Sequence, residues 1–362
     1  MRRVILCFLV FVLMFALIGC QRTSAESVTL ETPETNATAA PSPSATPENN
    51  RIGISMPSQN FMNWAAEGSA MKAQLEAMGY AVDLMFADDY DFSRQVSQIE
   101  EMITRGCRVL LIASVDQLQI DTVLTKAKEA DVTVIAYDMM IYQTSMLDYC
   151  VTFDYAGFGG LQAEYIVNTL GLKDANGPFT IELFVGDPGD ANMPGPRDSA
   201  LDVLQPYIDN GQLVVKSGQA DFYEITTVNY SSENAKARMD QILDEFYTPD
   251  QPDAVLAISD SISIGIIESL EDAGCTTFPI ITGSGGYEAS LTAIKDSKQA
   301  MSLYEDRDIL VSKALEMANA VMTGHEVPVN SYVDNAVKDI PTFKCKPVVV
   351  TSKNVQEIMS KN

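Results

Sequence analysis

The chain is short of several things that chemistry commonly needs. It has one histidine, His325, among 362 residues, so neither a histidine-based catalytic triad nor a zinc cage built on several imidazoles is available. Its six cysteines include no CxxC pair, which removes the usual zinc-knuckle and dithiol redox motifs. Lys and Arg number 24 against 49 Asp and Glu, a formal charge of −25. So acidic a chain repels phosphate backbones, and a nucleic-acid partner is excluded. Beyond the N-terminus no apolar run is long enough to span a bilayer, which excludes a membrane bundle. Gly283-Ser284-Gly285-Gly286 has Glu288 where a dinucleotide fingerprint needs its last glycine, so neither a nucleotide cofactor nor a metal is expected. What is present is a body rich enough in apolar residues, 46% of the chain, to fold around large cores.

Arg2 and Arg3 precede an almost wholly apolar stretch, Val4 to Ile18, followed by Gly19 and Cys20. That run is short for a membrane span, and its basic start is that of a signal peptide, so residues 1–19 are expected to be cut away. An uncleaved anchor is the other reading. Leu17-Ile18-Gly19-Cys20 resembles the bacterial lipobox. The resemblance implies a diacylglycerol on the Cys20 thiol and two acyl chains in the bilayer, enough for stable anchoring where one is marginal. Residues 20–50 are rich in Thr, Ser and Pro, with Val28 and Leu30 the only larger aliphatics, and cannot offset their ordering entropy by burial. They read as a tether holding the body at the outer face of the cytoplasmic membrane.

From Arg51 onward, short β-branched runs alternate with stretches of helical period, the pattern of a parallel sheet with crossover helices. Ile52–Met56, Ala81–Phe86, Val109–Ala113 and Val132–Tyr137 read as strands separated by helices. After Asp154 a second, similar series begins, with strands at Phe179–Val185, Leu213–Lys216, Ala254–Ile258 and Pro279–Thr282. The expected fold class is α/β: two Rossmann-like, doubly wound lobes with parallel sheets.

In such sheets ligands sit outside the carboxyl ends of the strands. Asp116, Asp138, Asp154, Asp187 and Asp260 all stand at such ends. Any one of them can instead be a helix cap. Asp116 before QLQI and Asp260 before SISIGII suit that role, whereas Asp138 before MMIYQT does not. Carboxylates facing a cleft accept strong hydrogen bonds from adjacent hydroxyls, which suits a sugar or related small polyol. Trp64, the one tryptophan, either covers a sugar ring or anchors the core. Cys107, Cys150, Cys275 and Cys345 lie in or beside apolar stretches and read as buried thiols rather than disulfides. Two of the acids at glycosidase spacing would be the alternative, a lipid-anchored carbohydrate-active enzyme.

IGISMP, FADDYDFSRQVSQIEEMITRGCRVLLIAS, VIAYD, VTFDYAGFGGLQA, IELFVGDPGD and ARMDQILDEFY, in that order, resemble the sugar-binding proteins of bacterial ABC importers, in the xylose and multiple-sugar branch of the ribose/galactose type. The resemblance covers Arg51 to the C-terminus. It implies a type I periplasmic binding protein whose lobes, 51–154 with about 306–336 and 155–305 with about 337–362, are joined by three crossovers near Asp154, Glu305 and Ala336. It implies a non-catalytic monomer that closes on a monosaccharide and hands it to an ABC permease, or signals to a chemoreceptor or kinase. By position it makes Trp64 the stacking aromatic, Asn63 and Asn192 amide contacts, Asp138 and Asp260 the acids, and Asp154 and Glu305 hinge residues in the pocket. This sequence departs from the family in Met139, where Arg is usual, in Ser284-Gly285, in Pro194-Gly195-Pro196, and in Glu305, where Lys or Gln is usual. Arg197 and Tyr287 are the candidates to refill the pocket.

Overall fold

The computed structural model describes residues 50–60, 64–88, 90–190 and 193–361. The leader, Cys20 and the tether up to residue 49, together with Asn63 and Asn192, lie outside the described residues. The chain first builds β1 (Arg51–Met56), α1 (Trp64–Ala77), β2 (Ala81–Phe86), α2 (Phe92–Thr104), β3 (Val109–Ile112), α3 (Asp121–Glu129), β4 (Thr133–Tyr137) and β5 (Tyr149–Phe153). It continues through α4 (Phe158–Leu170), β6 (Phe179–Phe184), α5 (Pro194–Asp209), β7 (Leu213–Val215), α6 (Phe222–Ile225), α7 (Ser232–Ile242), β8 (Ala254–Ala257), α8 (Asp260–Asp272), β9 (Ile280–Ile281), α9 (Glu288–Lys295) and β10 (Ser302–Tyr304). It ends with α10 (Arg307–Thr323), β11 (Ser331–Asp334), β12 (Asp339–Cys345), β13 (Val348–Val350) and α11 (Val355–Met359).

The first lobe carries a seven-stranded sheet in the order β11-β12-β5-β4-β3-β1-β2. All neighbours are parallel except the edge pair β11–β12. Because strand side chains alternate faces, β3 splits between two cores. Val109 and Leu111 pack with α1 and α10, while Leu110 and Ile112 pack with α2 and α3. Burial on both faces is why VLLI reads as a continuous apolar run. The second lobe has a parallel sheet in the order β7-β6-β8-β9, which a bridge between Ser284 and Leu303 links to the antiparallel pair β10–β13. The architecture is thus the α/β, doubly wound pair of lobes that the sequence predicts.

The chain passes between sheets after β5, after β10 and after β12. The last passage differs from expectation. The sequence places residues 337–345 in the second lobe, but β12 pairs in parallel with β5 of the first, Thr342 opposite Cys150 and Cys345 opposite Phe153. The chain therefore leaves near Lys346 rather than Ala336. The reason is the edge hairpin: β11 folds back on β12, and Asn335 at the turn is buried, donating its amide to the carbonyls of Ile141 and Thr144 in the first lobe. Val348–Val350 then completes the second lobe against β10, with α11 packed on α9.

The second lobe's wall depends on one close approach. A Cβ at Gly159 of α4 would stand 1.8 Å from the carbonyl oxygen of Pro196, so only glycine lets α5 come this near. That contact sets Met193 and Pro196 at the inner surface of the lobe.

Candidate ligand-binding cleft

Between the lobes lies a cavity of about 510 Å³, within the range typical of small-molecule sites. Its first-lobe wall is Asp138 to Met140 with Tyr142, its second-lobe wall Met193, Pro196, Tyr230 and Ser259, and the crossovers supply Asp154, Tyr155, Glu305 and Lys344.

Asp138 follows β4, and no helix follows it. The backbone turns into the left-handed region there, φ +65°, which Asp tolerates better than most residues. Its N–H donates to Val151 O at 2.8 Å and its carbonyl accepts from Thr152 Oγ1 at 2.6 Å, fixing the turn to β5. The carboxylate accepts Arg307 Nη2 at 2.9 Å and Tyr155 Oη at 3.2 Å. Arg307, the first residue of α10, also donates Nε to Glu67 at 2.8 Å, while Tyr137 Oη donates to Glu67 at 2.6 Å. Burial alone would lower the Arg307 pKa, but its bonds to Glu67 and Asp138 more than reverse this and hold it firmly charged. Sequence reasoning missed Arg307. It brings a cation to Asp138 from a different element, at the start of α10. The position two residues after Glu305 was the available signal.

Glu305 accepts from Tyr155 Oη at 3.2 Å and lies 3.7 Å from Arg307. Burial raises its pKa and Asp138 adds to the rise, against the pull of Arg307. Asp154 accepts Lys344 Nζ at 2.9 Å, an ion pair between the first and third crossovers. Lys344 lies on β12, and sequence reasoning misses it because only the pairing of β12 with β5 brings it beside Asp154.

Two expected ligand contacts are elsewhere. Trp64 is 1% exposed, donates Nε1 to Tyr90 Oη at 3.1 Å and stands edge-on to Tyr137. Its helix buries Trp64, Glu67, Gly68, Met71 and Leu75, a stripe at helical spacing that turns the indole towards the sheet. The aromatic surface of the cleft comes instead from Tyr142, Phe153, Tyr230, Tyr155 and Phe158, the last two packed on each other at 5.4 Å between ring centroids. Asp260 is 0% exposed. It opens α8, and its carboxylate accepts Ser302 Oγ at 2.8 Å, Gln299 Nε2 at 3.2 Å and Tyr287 N at 3.1 Å, fastening the 283–287 loop to β10. A Cβ at Gly283 would meet this carboxylate at 2.2 Å. Burial raises the Asp260 pKa against those donors.

The remaining strand-end acids also hold backbone. Asp116 caps Leu118 and Gln119, and Asp187 accepts from Gly189 and Asn229. Neither proposed replacement lines the cavity. Arg197 pairs with Asp198 and lies over Phe222 at 4.9 Å, while Tyr287 is exposed. All four body cysteines are free, three of them buried; burial first, then Asp83, pushes Cys107 up to about 12. Among the described residues no group of acids, histidines and cysteines could hold a metal ion, and no helix is long and apolar enough to cross a membrane.

Two sheet-centred lobes, three passages of chain and a cavity between them that sets carboxylates beside apolar walls define a ligand-clamping protein. Residues 52–326 match the periplasmic binding protein domain. The chain is 41% identical, over 85% of its length and 88% of the relative's, to the multiple sugar-binding periplasmic receptor ChvE of Rhizobium radiobacter. It is 40% identical, with a TM-score of 0.65 over 85% of this chain and 96% of the other, to an ABC transporter solute-binding protein of Clostridium phytofermentans holding β-D-glucose. A carbohydrate transporter solute-binding protein of Chloroflexus aurantiacus, in complex with D-glucose, is 26% identical with a TM-score of 0.62 over 84% of this chain and 94% of the other. This chain belongs to the periplasmic binding protein family, and the relatives are receptors and binding proteins, not enzymes.

Proposed function

We propose that the protein is a lipid-anchored, extracytoplasmic solute-binding protein that takes a monosaccharide into the interlobe cleft and delivers it to an ABC importer. The observation that carries this reading is the row of acceptors around the cavity, Asp138, Glu305 and Asp154 with Tyr155 between them, beside apolar and aromatic walls. Charged acceptors grip hydroxyls, and rings of carbon cover the C–H faces of a sugar. Ligand touching both walls favours the closed form by its differential affinity for that form. The named ligands of the relatives, glucose among them, support the same class.

Thermal-shift measurements on the purified chain with D-glucose, D-xylose and D-ribose test the reading. The expected result is a rise in melting temperature with at least one sugar and no consumption of it. Loss of the sugar on incubation, or no shift with any, overturns it. Anchoring through Cys20 is tested separately by Cys20→Ser, which is expected to release the protein from the membrane fraction. Gel filtration of the delipidated chain is expected to give a monomer.

A further inference from the structure

Charge inside the cleft is unbalanced in a way that points to a narrower ligand class. Lys344, the cation lining the cavity, is engaged by Asp154 at 2.9 Å. The neighbouring cation, Arg307, faces three carboxylates: Glu67 at 2.8 Å, Asp138 at 2.9 Å and Glu305 at 3.7 Å. One guanidinium cannot neutralise three acids, and the one it reaches least is Glu305, which also has the cavity at its side. Tyr155 Oη has one proton and two carboxylates at 3.2 Å, so it cannot serve both at once.

Resting on the sugar-binding reading, we infer that the cleft selects an amino sugar, a monosaccharide bearing a protonated amine, and that Glu305 is the residue that receives the ammonium group. An ammonium placed there supplies the missing positive charge, and a charge-assisted bond is stronger than one to a neutral hydroxyl. A neutral hexose offers Glu305 only hydroxyl donors. A uronate brings one more negative charge to a wall that already has an excess. The raised Glu305 pKa fits an acid awaiting a counter-charge.

Calorimetric titration of the full chain at a pH of about 6, below the ordinary range of an amine, distinguishes the cases. The probes are D-glucose, its amino-deoxy isomers with nitrogen at the second, third or sixth carbon, N-acetyl-D-glucosamine and D-glucuronate. At least one amino isomer is expected to bind about tenfold or more tightly than D-glucose, the scale of a charged hydrogen bond. D-glucuronate is expected to bind more weakly than D-glucose. In Glu305→Gln the ratio of amino-sugar to glucose affinity is expected to fall towards one. If no amino isomer exceeds glucose, or the preference survives in Glu305→Gln, the inference is wrong while sugar binding stands. If none of the probes binds, both fall. The titration of the parent chain decides the matter even if the variant does not fold.

Discussion

Asp138 and Asp260 end segments of the same kind, VIAY and LAIS, in opposite lobes, yet one faces the cleft and the other is sealed from it. The difference lies in what comes next. After Asp260 the chain enters α8 at once, so the carboxylate lies at a helix start and is drawn into the packing of the 283–287 loop. After Asp138 there is only a left-handed turn and the segment up to β5, which leaves the side chain turned to the open end of the sheet. A strand-end acid reaches ligand where the helix does not claim it. The second lobe accordingly meets the cavity with Ser259 and Asp190, and the chemistry concentrates on the first lobe and the crossovers.

The strongest way to sharpen that contrast is Arg307→Met. It leaves Glu67 and Asp138 buried beside each other without their cation, and breaking such a network is expected to lower stability by about 3 to 5 kcal/mol in chemical denaturation. A loss below about 1 kcal/mol would mean that Asp138 stands independently of α10. Trp64→Ala tests the other side of the same wall. Removing a buried indole is expected to destabilise the empty protein by about 3 to 5 kcal/mol, while sugar affinity in the folded fraction stays within about twofold. The opposite pattern, a lost affinity and an unchanged melt, would return Trp64 to the cleft.

The two acids separate in a matched pair of amides. Asp260→Asn turns a donor towards Ser302, Gln299 and the Tyr287 N–H, and is expected to reduce stability by about 1 to 3 kcal/mol with little change in affinity. Asp138→Asn is expected to weaken sugar binding about tenfold, because a neutral acceptor replaces a charged one. Equal effects of the two on affinity would erase the distinction between the lobes.

The sequence makes some of this legible and hides the rest for definite reasons. Alternating β-branched runs and helical periods disclose both lobes, because burial on two faces leaves an apolar signature in β3 and β4. The misfit of MMIYQT as a helix start sets Asp138 apart, with no helix following it, whereas SISIGII marks a helix start at Asp260 but not its role, since Ser259 holds the cap position and the Asp260 carboxylate turns to Ser302, Gln299 and the Tyr287 N–H. Trp64 is ambiguous in one dimension, since a residue at the first turn of a helix can face the sheet or the rim. Its place on the Glu67, Met71 and Leu75 stripe decides for the sheet. Arg307 and Lys344 are hidden because each acts on a residue more than 160 positions away, Asp138 and Asp154, across crossovers whose positions depend on strand pairing.

The smallest expected effect concerns Glu305, and its sign separates a crossover acid at rest from one that is already paired. In the folded chain, burial first and Asp138 second hold its pKa above the ordinary carboxylate value, with Arg307 opposing; Tyr155 and Glu67 are the other titratable groups around it. An acid whose folded pKa is raised binds its proton more readily folded than unfolded. Its contribution to stability is therefore complete below the unfolded value, about 4.3, and is lost as pH rises through the folded one. Glu305→Gln does not titrate, so the ligand-free variant is expected to match the parent near a pH of about 4 and to gain on it steadily towards neutrality. Melting curves of both proteins across that interval measure the difference. A variant that instead falls behind the parent with rising pH would show Glu305 ionised and satisfied by Arg307. The positive charge that an amino sugar is inferred to bring would then be superfluous.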